Sequence, residues 1–347
     1  MTMRCFNNNY LTKKRYVFGF SLVELMVAIT ISLILIGGLI QIFISSKRSY
    51  LIQDSIGRMQ ENGRYVMDVL HSDLRLAGYL GGNADVTTVG GNLAPITPDG
   101  SCVGNDDDQW GRMIARGVFG INDGLANYNC ISAAGNSPQL GEYLSGDILT
   151  VRYAKPVRVD NNGRIRNGTA GLYLKSSPMD GEIGLVTNTR SDIETFFDNA
   201  GLTDTPISYN KLETYSYYSG YQQSDCNGNS VDVPALYRIA LDNDGEPTRQ
   251  EIVRGVENLQ VQYGIDTDNN GSINQFLDAD NINDWTIVRT VRIWLLIRDE
   301  CPSIGYTNTN NYVMGDSGLD LSGEGNSDNF RRHLYTSTVT LRNNQAI

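Results

Sequence analysis

The chain has few of the side chains on which most enzyme active sites depend. Only two of its 347 residues are histidine, and no Cys-x-x-Cys pair occurs, which argues against zinc ribbons and thioredoxin-like redox chemistry. It also lacks a GxxxxGK phosphate loop, an HExxH metal motif and a nucleophile elbow. Residues 315–318 read Gly-Asp-Ser-Gly, but so short a match is more typical of a turn than of a serine nucleophile with its base. We therefore expect no enzyme activity.

Basic side chains are scarce beyond the N-terminus. The chain has 28 Lys and Arg against 39 Asp and Glu, a formal net charge of -11. Residues 1–19 hold four basic residues and no acid, so their removal would leave a net charge of -15. Nucleic-acid binding depends on clusters of Lys and Arg that neutralise phosphates. We therefore expect no direct binding of nucleic acid.

The cysteine count fits an exported protein. Of five cysteines, Cys5 lies in the basic N-terminal segment. If that segment is removed, four remain, Cys102, Cys130, Cys226 and Cys301, an even number that suits two disulfides in an oxidising compartment. Several pairings are possible, and we favour the neighbours, 102 with 130 and 226 with 301. Isolated buried thiols are the alternative interpretation.

A long apolar run follows the basic segment. Residues 25–46, LMVAITISLILIGGLIQIFISS, hold no charge, and as a helix these 22 residues would measure about 33 Å, the thickness of a bilayer's hydrocarbon core. Basic residues at 13–15 place the N-terminal side in the cytoplasm, although Lys47 and Arg48 on the other side weaken that argument. A secretory signal has its small-residue cleavage site after the apolar run. Here Gly19 precedes the run, so cleavage there would keep the apolar helix in the mature protein.

Residues 19–26, GFSLVELM, resemble the type IV prepilin signal. The resemblance implies cleavage between Gly19 and Phe20 by a prepilin peptidase, followed by N-methylation of Phe20. Glu24 would be the fifth mature residue, at which that family carries an acid. A carboxylate at the edge of an apolar helix is costly without a partner. In pilins this partner is the amino terminus of a neighbouring subunit, whereas the alternative is a carboxylate that reaches the lipid headgroups.

The helical pattern continues beyond the apolar run. Apolar or small residues recur at helical spacing: Ile52, Ile56, Met59, Gly63, Val66, Leu70 and Ala77. This pattern predicts an amphipathic continuation of the helix that ends near Gly78 and packs on a sheet. Residues 61–65, ENGRY, and 73–79, DLRLAGY, resemble PilW-type minor pilins. Many of these carry a cysteine just after the second element, where this chain has Gly81-Gly82, so the disulfide pattern of the family is not transferred.

The remainder of the chain predicts a β-rich body. Residues 80–145, rich in Gly, Asn, Asp and Ser, predict long loops with short strands. Alternating apolar and polar residues predict strands at 148–154, 236–241, 259–265, 291–297 and 337–343. The expected fold is α+β, in which a long N-terminal hydrophobic-then-amphipathic helix packs on an antiparallel β-sheet body with long loops. The expected domains are a cleaved leader (1–19), a transmembrane or filament-core helix (20–46), its amphipathic continuation (47–78) and the body (79–347).

Residues 266–274 match the first nine positions of a calcium loop. Side chains that carry oxygen alternate along it: Asp266, Asp268, Asn270, Ser272 and Asn274. The twelfth position is Leu277, where a bidentate Glu belongs, and a predicted strand precedes the loop. Two interpretations stay open, a weak calcium site completed by an acid such as Asp278, or a solvated turn between strands.

The resemblance also implies a function. It suggests a minor pilin that takes part in type IV pilus assembly or its tip or initiation complex, supporting twitching motility, adhesion or DNA uptake. The implied partners are other minor pilins, the major pilin, the prepilin peptidase and the inner-membrane assembly machinery. The implied location is a single pass in the inner membrane with the body in the periplasm, and then the pilus at the cell surface. The alternatives are a type II secretion pseudopilin and a pilin-anchored adhesin.

Overall fold

A computed structural model of the chain describes residues 19–93, 108–125, 130–135, 137–157, 170–186, 196, 201–202, 204–226, 228–323 and 325–343. The chain divides into two compact units, Met1–Asp54 and Ser55–Ile347. Helix α1 (Leu22–Leu76) runs through both, and α2 is a single turn (Gln109–Arg112). The strands are β1 Val89–Gly90, β2 Val118–Ile121, β3 Tyr143–Pro156, β4 Gly171–Ser176, β5 Gly181–Val186, β6 Ser208–Cys226, β7 Asn229–Leu241, β8 Pro247–Arg254, β9 Val256–Ile265, β10 Gln275–Leu277, β11 Val288–Arg298, β12 Asn311–Met314, β13 Ser317–Asp320 and β14 Arg332–Thr340.

The first unit is the apolar part of α1. Its large apolar side chains are exposed, and by length and composition the helix is long and apolar enough to cross a membrane. Its hydroxyls are bonded inside the helix: Thr30 Oγ1 donates to the Met26 carbonyl at 2.7 Å, and Ser32 Oγ to the Ala28 carbonyl at 2.7 Å. Such bonds matter in lipid, which offers no water as a partner.

In the second unit, the last turns of α1 pack into the body. The predicted stripe is confirmed from Met59 onward, and the buried helical residues are Met59, Gly63, Val66, Met67, Leu70, Asp73 and Leu74. The stripe was wrong at Ile56, which is 37% exposed. Gly63 is required by its neighbour, because a Cβ there would lie 2.3 Å from a ring carbon of Tyr335 on β14.

Two sheets, rather than the single sheet predicted, form the body. The larger has the strand order β1-β5-β4-β6-β3-β2, with β7 and β8 attached along β6, and the smaller has the order β10-β9-β11-β14. Strands β12 and β13 form a separate hairpin. Among the residues that the structure describes, the strands pair antiparallel except for the short pair of β1 with β5, which is parallel. A single hydrophobic cluster includes side chains from α1 and from both sheets, so the sheets share one core.

The five predicted strands are confirmed within β3, β7, β9, β11 and β14, except that β14 ends at Thr340 and residues 341–343, predicted as strand, lie beyond it. The longest strand, β6, was not predicted. Its central residues, including Tyr217 and Tyr218, are buried on both faces of the sheet, so the sequence TYSYYSGY shows no alternation of apolar and polar residues. The segment 80–145 contains β1, α2, β2 and the start of β3 within its described residues.

The end of α1 is held by the body. The helix ends at Leu76, close to the predicted end near Gly78. Gly78 has a φ of +74°, and its N–H donates to the Arg152 carbonyl on β3 at 2.9 Å. The Asn343 side-chain amide donates to the carbonyls of Arg75, Leu76 and Ala77 at 3.4–3.5 Å. These bonds satisfy carbonyl groups that a helix end otherwise leaves without partners.

Asp73 is the centre of the contact between α1 and the larger sheet. It is 7% exposed, and it accepts hydrogen bonds from Tyr153 on β3 at 2.8 Å and from Tyr217 on β6. Burial raises the pKa of Asp73, although the hydrogen bonds from the two tyrosines oppose that shift. Residues 73–79 therefore begin with a buried polar contact that joins α1, β3 and β6.

We predict that Asp73→Ala lowers the free energy of unfolding by about 2–5 kcal/mol, because two buried tyrosine hydroxyls lose their acceptor. Tyr217→Phe should cost less, since Asp73 keeps its bond to Tyr153. Tyr65→Phe is the matched control, because Tyr65 is 51% exposed on the same helix. Urea unfolding of the full chain in detergent, followed by near-UV circular dichroism, measures all three. Equal stability of the Asp73 and Tyr65 variants would contradict the proposed role.

Candidate functional site

The predicted cleavage site lies immediately before α1. Gly19 and Phe20 precede the first helical residue, Leu22, and Phe20 is 85% exposed. A Cβ placed on Gly19 would meet no atom within 4 Å. The peptide bond between the two residues is therefore in accessible, non-helical backbone, which is the form in which a peptidase can bind a chain.

Glu24 forms a contact within its own chain that the sequence analysis missed. The N–H of Ser21 donates to Glu24 Oε2 at 3.3 Å, and the N–H of Leu25 donates to the Ser21 carbonyl at 3.1 Å. Ser21 is thus the N-cap, and Glu24, three residues later, occupies the capping-box position. The spacing Ser-x-x-Glu was visible in the sequence. A carboxylate in the first turn of a helix is also stabilised by the positive end of the helix dipole.

This arrangement places a carboxylate close to the predicted new amino terminus. Cleavage after Gly19 would put the amino group of Phe20 one residue before Ser21, whose N–H Glu24 already accepts. An ammonium group and a carboxylate attract each other more strongly in a weakly polar medium than in water. The head of α1 therefore offers one negative group and, after cleavage, one positive group for pairing within or between chains.

The predicted disulfide between Cys226 and Cys301 is confirmed, with a Cα–Cα distance of 5.6 Å. It joins the end of β6 in the larger sheet to the segment after β11 in the smaller sheet, across 75 residues. In the chain-entropy description, closing a loop of this length contributes about 4 kcal/mol to stability. Cys130 is also disulfide-bonded. Cys102 lies outside the described residues, so its pairing with Cys130 stays a prediction.

The predicted calcium loop joins β9 to β10, and its polar side chains bond to the loop itself. Asp266 accepts the N–H groups of Asn270 at 3.1 Å and Gly271 at 2.9 Å. Asn270 accepts the N–H of Ser272 at 2.7 Å, and Asn274 accepts that of Thr267 at 2.6 Å. These bonds are typical of an Asx-rich turn.

The carboxylates in and beside the loop already contact other side chains. The Arg289 guanidinium lies 3.8 Å from Asp266 Oδ2, Asp268 accepts the side-chain amide of Asn270 at 2.8 Å, and Asp278 accepts that of Gln262 at 2.8 Å. Among the described residues, no group of three or more His, Cys, Asp and Glu residues is placed to hold a metal ion. Calcium binding by this loop stays a prediction.

Asp147 is a buried acid that the sequence analysis did not identify. It is 2% exposed and accepts the N–H groups of Asp123 at 3.0 Å and of Val261 on β9 at 2.6 Å. Burial raises its pKa to about 7, with a further rise from the charges of Asp123 and Asp316 and an opposing effect from the two hydrogen bonds. It therefore links β3 of one sheet to β9 of the other through a titratable group.

The Gly-Asp-Ser-Gly sequence forms the turn between β12 and β13, as expected from its composition. Gly315 has a φ of +61°, and Ser317 is the first residue of β13. The Nε2 atom of His71 lies 2.7 Å from Ser337 Oγ, and His333 stacks edge-on against Tyr335 with centroids 4.6 Å apart. Both histidines that the structure describes thus contact residues of β14, Ser337 and Tyr335, rather than Ser317.

Two protein-family models match parts of this chain. Residues 14–40 match the prokaryotic N-terminal methylation motif, and residues 221–343 match the family described as Type IV Pilus-assembly protein W. The first match contains the predicted cleavage site and Glu24, and the second contains the smaller sheet and the Cys226–Cys301 disulfide. No curated protein matches the chain, and no solved structure matches it. The apolar helix and the methylation motif fit a membrane-anchored pilin.

We predict that Asp147 makes stability fall as pH rises. Its folded-state pKa is raised from 3.8 to about 7, so between those values the folded state keeps a proton that the unfolded state has released. Unfolding free energy should therefore decrease from pH 4 to pH 7 and level off above it. Asp147→Asn should remove up to about 4 kcal/mol of this decrease. Urea titrations across the range measure the slope, with the exposed Asp244→Asn as control; parallel profiles for all three proteins would contradict the prediction.

The calcium interpretation of residues 266–274 predicts weak binding, in the range of about 0.1–1 mM that is typical of extracellular modules, whereas the solvated turn predicts none. At ten times the dissociation constant, calcium would stabilise the folded chain by about 1.4 kcal/mol. Thermal unfolding with calcium, and with magnesium as control, measures this gain. Asp268→Ala should abolish it, since the substitution removes a carboxylate from one of the predicted ligand positions. A gain that persists in the variant, or none in the natural chain, would leave the loop as a solvated turn.

Proposed function

We propose that this chain, a PilW-type minor pilin of the type IV pilus, is processed between Gly19 and Phe20 and takes part in pilus assembly through its apolar helix. The observation that supports this proposal most directly is the head of α1. There the accessible Gly19–Phe20 bond, the capped helix start and the Glu24 carboxylate lie within six consecutive residues, at the beginning of an apolar helix. The known role of this family is structural, so the proposal is one of assembly and not of catalysis.

The apolar helix supplies the surface for packing. Large apolar side chains along residues 20–46 are exposed in the single chain, so they need lipid or other helices around them. A Cβ placed on Gly37 or Gly38 would meet nothing within 4 Å. Small residues allow two helix backbones to approach closely. We propose that this pair marks a place where the helix of a neighbouring subunit packs.

Glu24 supplies the selective contact. A carboxylate left unpaired inside a membrane or a helix bundle is costly, about 3 kcal/mol on insertion scales. Its hydrogen bond from Ser21 holds the carboxylate at the N-terminal end of the helix. We propose that the methylated amino group of a neighbouring Phe20 neutralises it, which fixes the axial register between subunits.

The finer role that we propose is in the tip or initiation complex. The body is large, and the proposed partners are other minor pilins, the major pilin, the prepilin peptidase and the inner-membrane assembly machinery. Twitching motility, adhesion and DNA uptake would then be properties of the assembled filament. The body would lie in the periplasm before assembly and on the pilus afterwards. Immunogold labelling distributed along the shaft would contradict the tip position.

A type II secretion pseudopilin is the second candidate, because it would share the same signal and helix. The match of residues 221–343 to a pilus-assembly family favours the pilus. A pilin-anchored adhesin is the third candidate. It is distinguished by deleting the body while keeping the helix, because pili would then still assemble and only attachment would be lost.

The test of this proposal combines processing with assembly. Intact-mass analysis of the membrane fraction should show N-methylated Phe20 only in cells that have the prepilin peptidase. Glu24→Gln should leave this mass signature in place and reduce surface pili at least about tenfold, since the ion pair is lost. Glu24→Asp should keep part of the assembly, and Glu61→Gln, on the amphipathic part of α1, is the matched control. An uncut chain, or normal piliation with Glu24→Gln, would overturn the proposal.

A further inference from the structure

The smaller sheet has one face turned toward the core and one turned away from it. Alternation along β11 and β14 places Ile293, Leu295 and Val339 in the core. The opposite face carries a row of threonines next to an arginine and a tryptophan. We call this surface the threonine face, and its residues are Arg292, Trp294, Thr336, Thr338 and Thr340.

Arg292 is the charged group of this face. Its guanidinium carbon lies 3.8 Å from the ring centroid of Phe276 and 5.8 Å from that of Trp294. It forms no salt bridge with any residue that the structure describes, whereas Arg112 pairs with Asp108 and Arg332 pairs with Glu257. The guanidinium is a half-buried cation close to two aromatic rings, and its charge can therefore bind an external anion.

The surroundings of Arg292 are hydroxyls, an amide and aromatic rings. Thr338 on β14 and Gln262 on β9 lie opposite it in the strand register. Gln262 donates to Asp278 at 2.8 Å, so the acid on that side already has a partner. The turn at Gly315 lies beside Trp294, because a Cβ there would be 3.4 Å from the indole. The face is therefore bounded on one side and open toward the exposed threonines of β14.

We propose that the threonine face binds a polysaccharide whose sugars carry carboxylate groups. Arginine forms paired, charge-assisted hydrogen bonds to a carboxylate. The half-buried indole of Trp294 offers an apolar plane to the C–H face of a sugar ring, and the threonine hydroxyls both donate to and accept from sugar hydroxyls. The Arg292 guanidinium alone gives charge complementarity to a sugar carboxylate.

Other anionic polymers fit this face less well. Nucleic acids are bound by clusters of Lys and Arg along the phosphate backbone, and this face has one arginine. Acidic peptides are likewise recognised by several arginines together. A chain of uronic acids has one carboxylate per sugar with hydroxyls between, which corresponds to one arginine beside a row of threonines.

The experiment uses the purified full chain in a detergent without sugar headgroups, so binding is measured apart from pilus assembly. Microscale thermophoresis with polygalacturonate should show binding, whereas neutral dextran, single-stranded DNA and polyglutamate should bind at least about tenfold more weakly. Arg292→Gln should weaken polygalacturonate binding about tenfold, which corresponds to the loss of a charged hydrogen bond. Arg254→Gln is the matched control, because Arg254 is an exposed arginine paired with Glu251 on the larger sheet.

A second pair of variants keeps the test independent of folding around Arg292. Thr338 is exposed on the edge strand, so Thr338→Asp and Thr338→Lys should both fold. The aspartate should weaken polygalacturonate binding and the lysine should strengthen it, each about threefold or more. No binding by the natural chain, equal binding of DNA or polyglutamate, equal effects of the two Thr338 variants, or equal loss in Arg254→Gln would each overturn the proposal.

Discussion

The contact of Asp73 with two tyrosine hydroxyls determines how the last turns of α1 pack within the second unit. A buried carboxylate needs hydrogen-bond donors, and its donors here lie on two different strands of the larger sheet, so the last turns of α1 have one position along the helix axis and one rotation. The other helix contacts follow from that position. Gly63 then lies under the ring of Tyr335, and His71 lies beside Ser337, both on the edge strand of the smaller sheet. One polar contact thus orients the helix against both sheets.

The fold was predictable from the sequence where each face of an element has a single environment. Strands β3, β7, β9, β11 and β14 each show some alternation, and the helix shows a stripe that ends at a glycine. Strand β6 was not predictable in this way because both of its faces are buried, and its tyrosines serve as apolar rings and as hydroxyl donors at once. Two sheets were taken for one, since the pairing of distant strands leaves no local trace in a sequence.

The site was predictable in its local part alone. Gly19, Phe20 and Glu24 belong to one short motif, and even the Ser21 cap is readable from spacing. The bond between Cys226 and Cys301 was a choice among pairings that geometry then decided. Asp147 and Arg292 could not be identified, because their character depends on distant neighbours: the amide of Val261 for the acid and the ring of Phe276 for the arginine. A charge acquires such a role only after the chain has folded around it.

The disulfide between Cys226 and Cys301 also defines a path for mechanical load. In the proposed filament, a subunit that is pulled through its N-terminal helix transmits tension along its backbone. The covalent bond between Cys226 on β6 and Cys301 after β11 provides a shorter route than the chain between them. The 75 residues that it encloses cannot be drawn out, which removes roughly 250 Å of extension from the forced unfolding of the chain. The enclosed part contains β7 to β11, most of the smaller sheet. Under tension, this part of the body would behave as an inextensible link while the remainder yields.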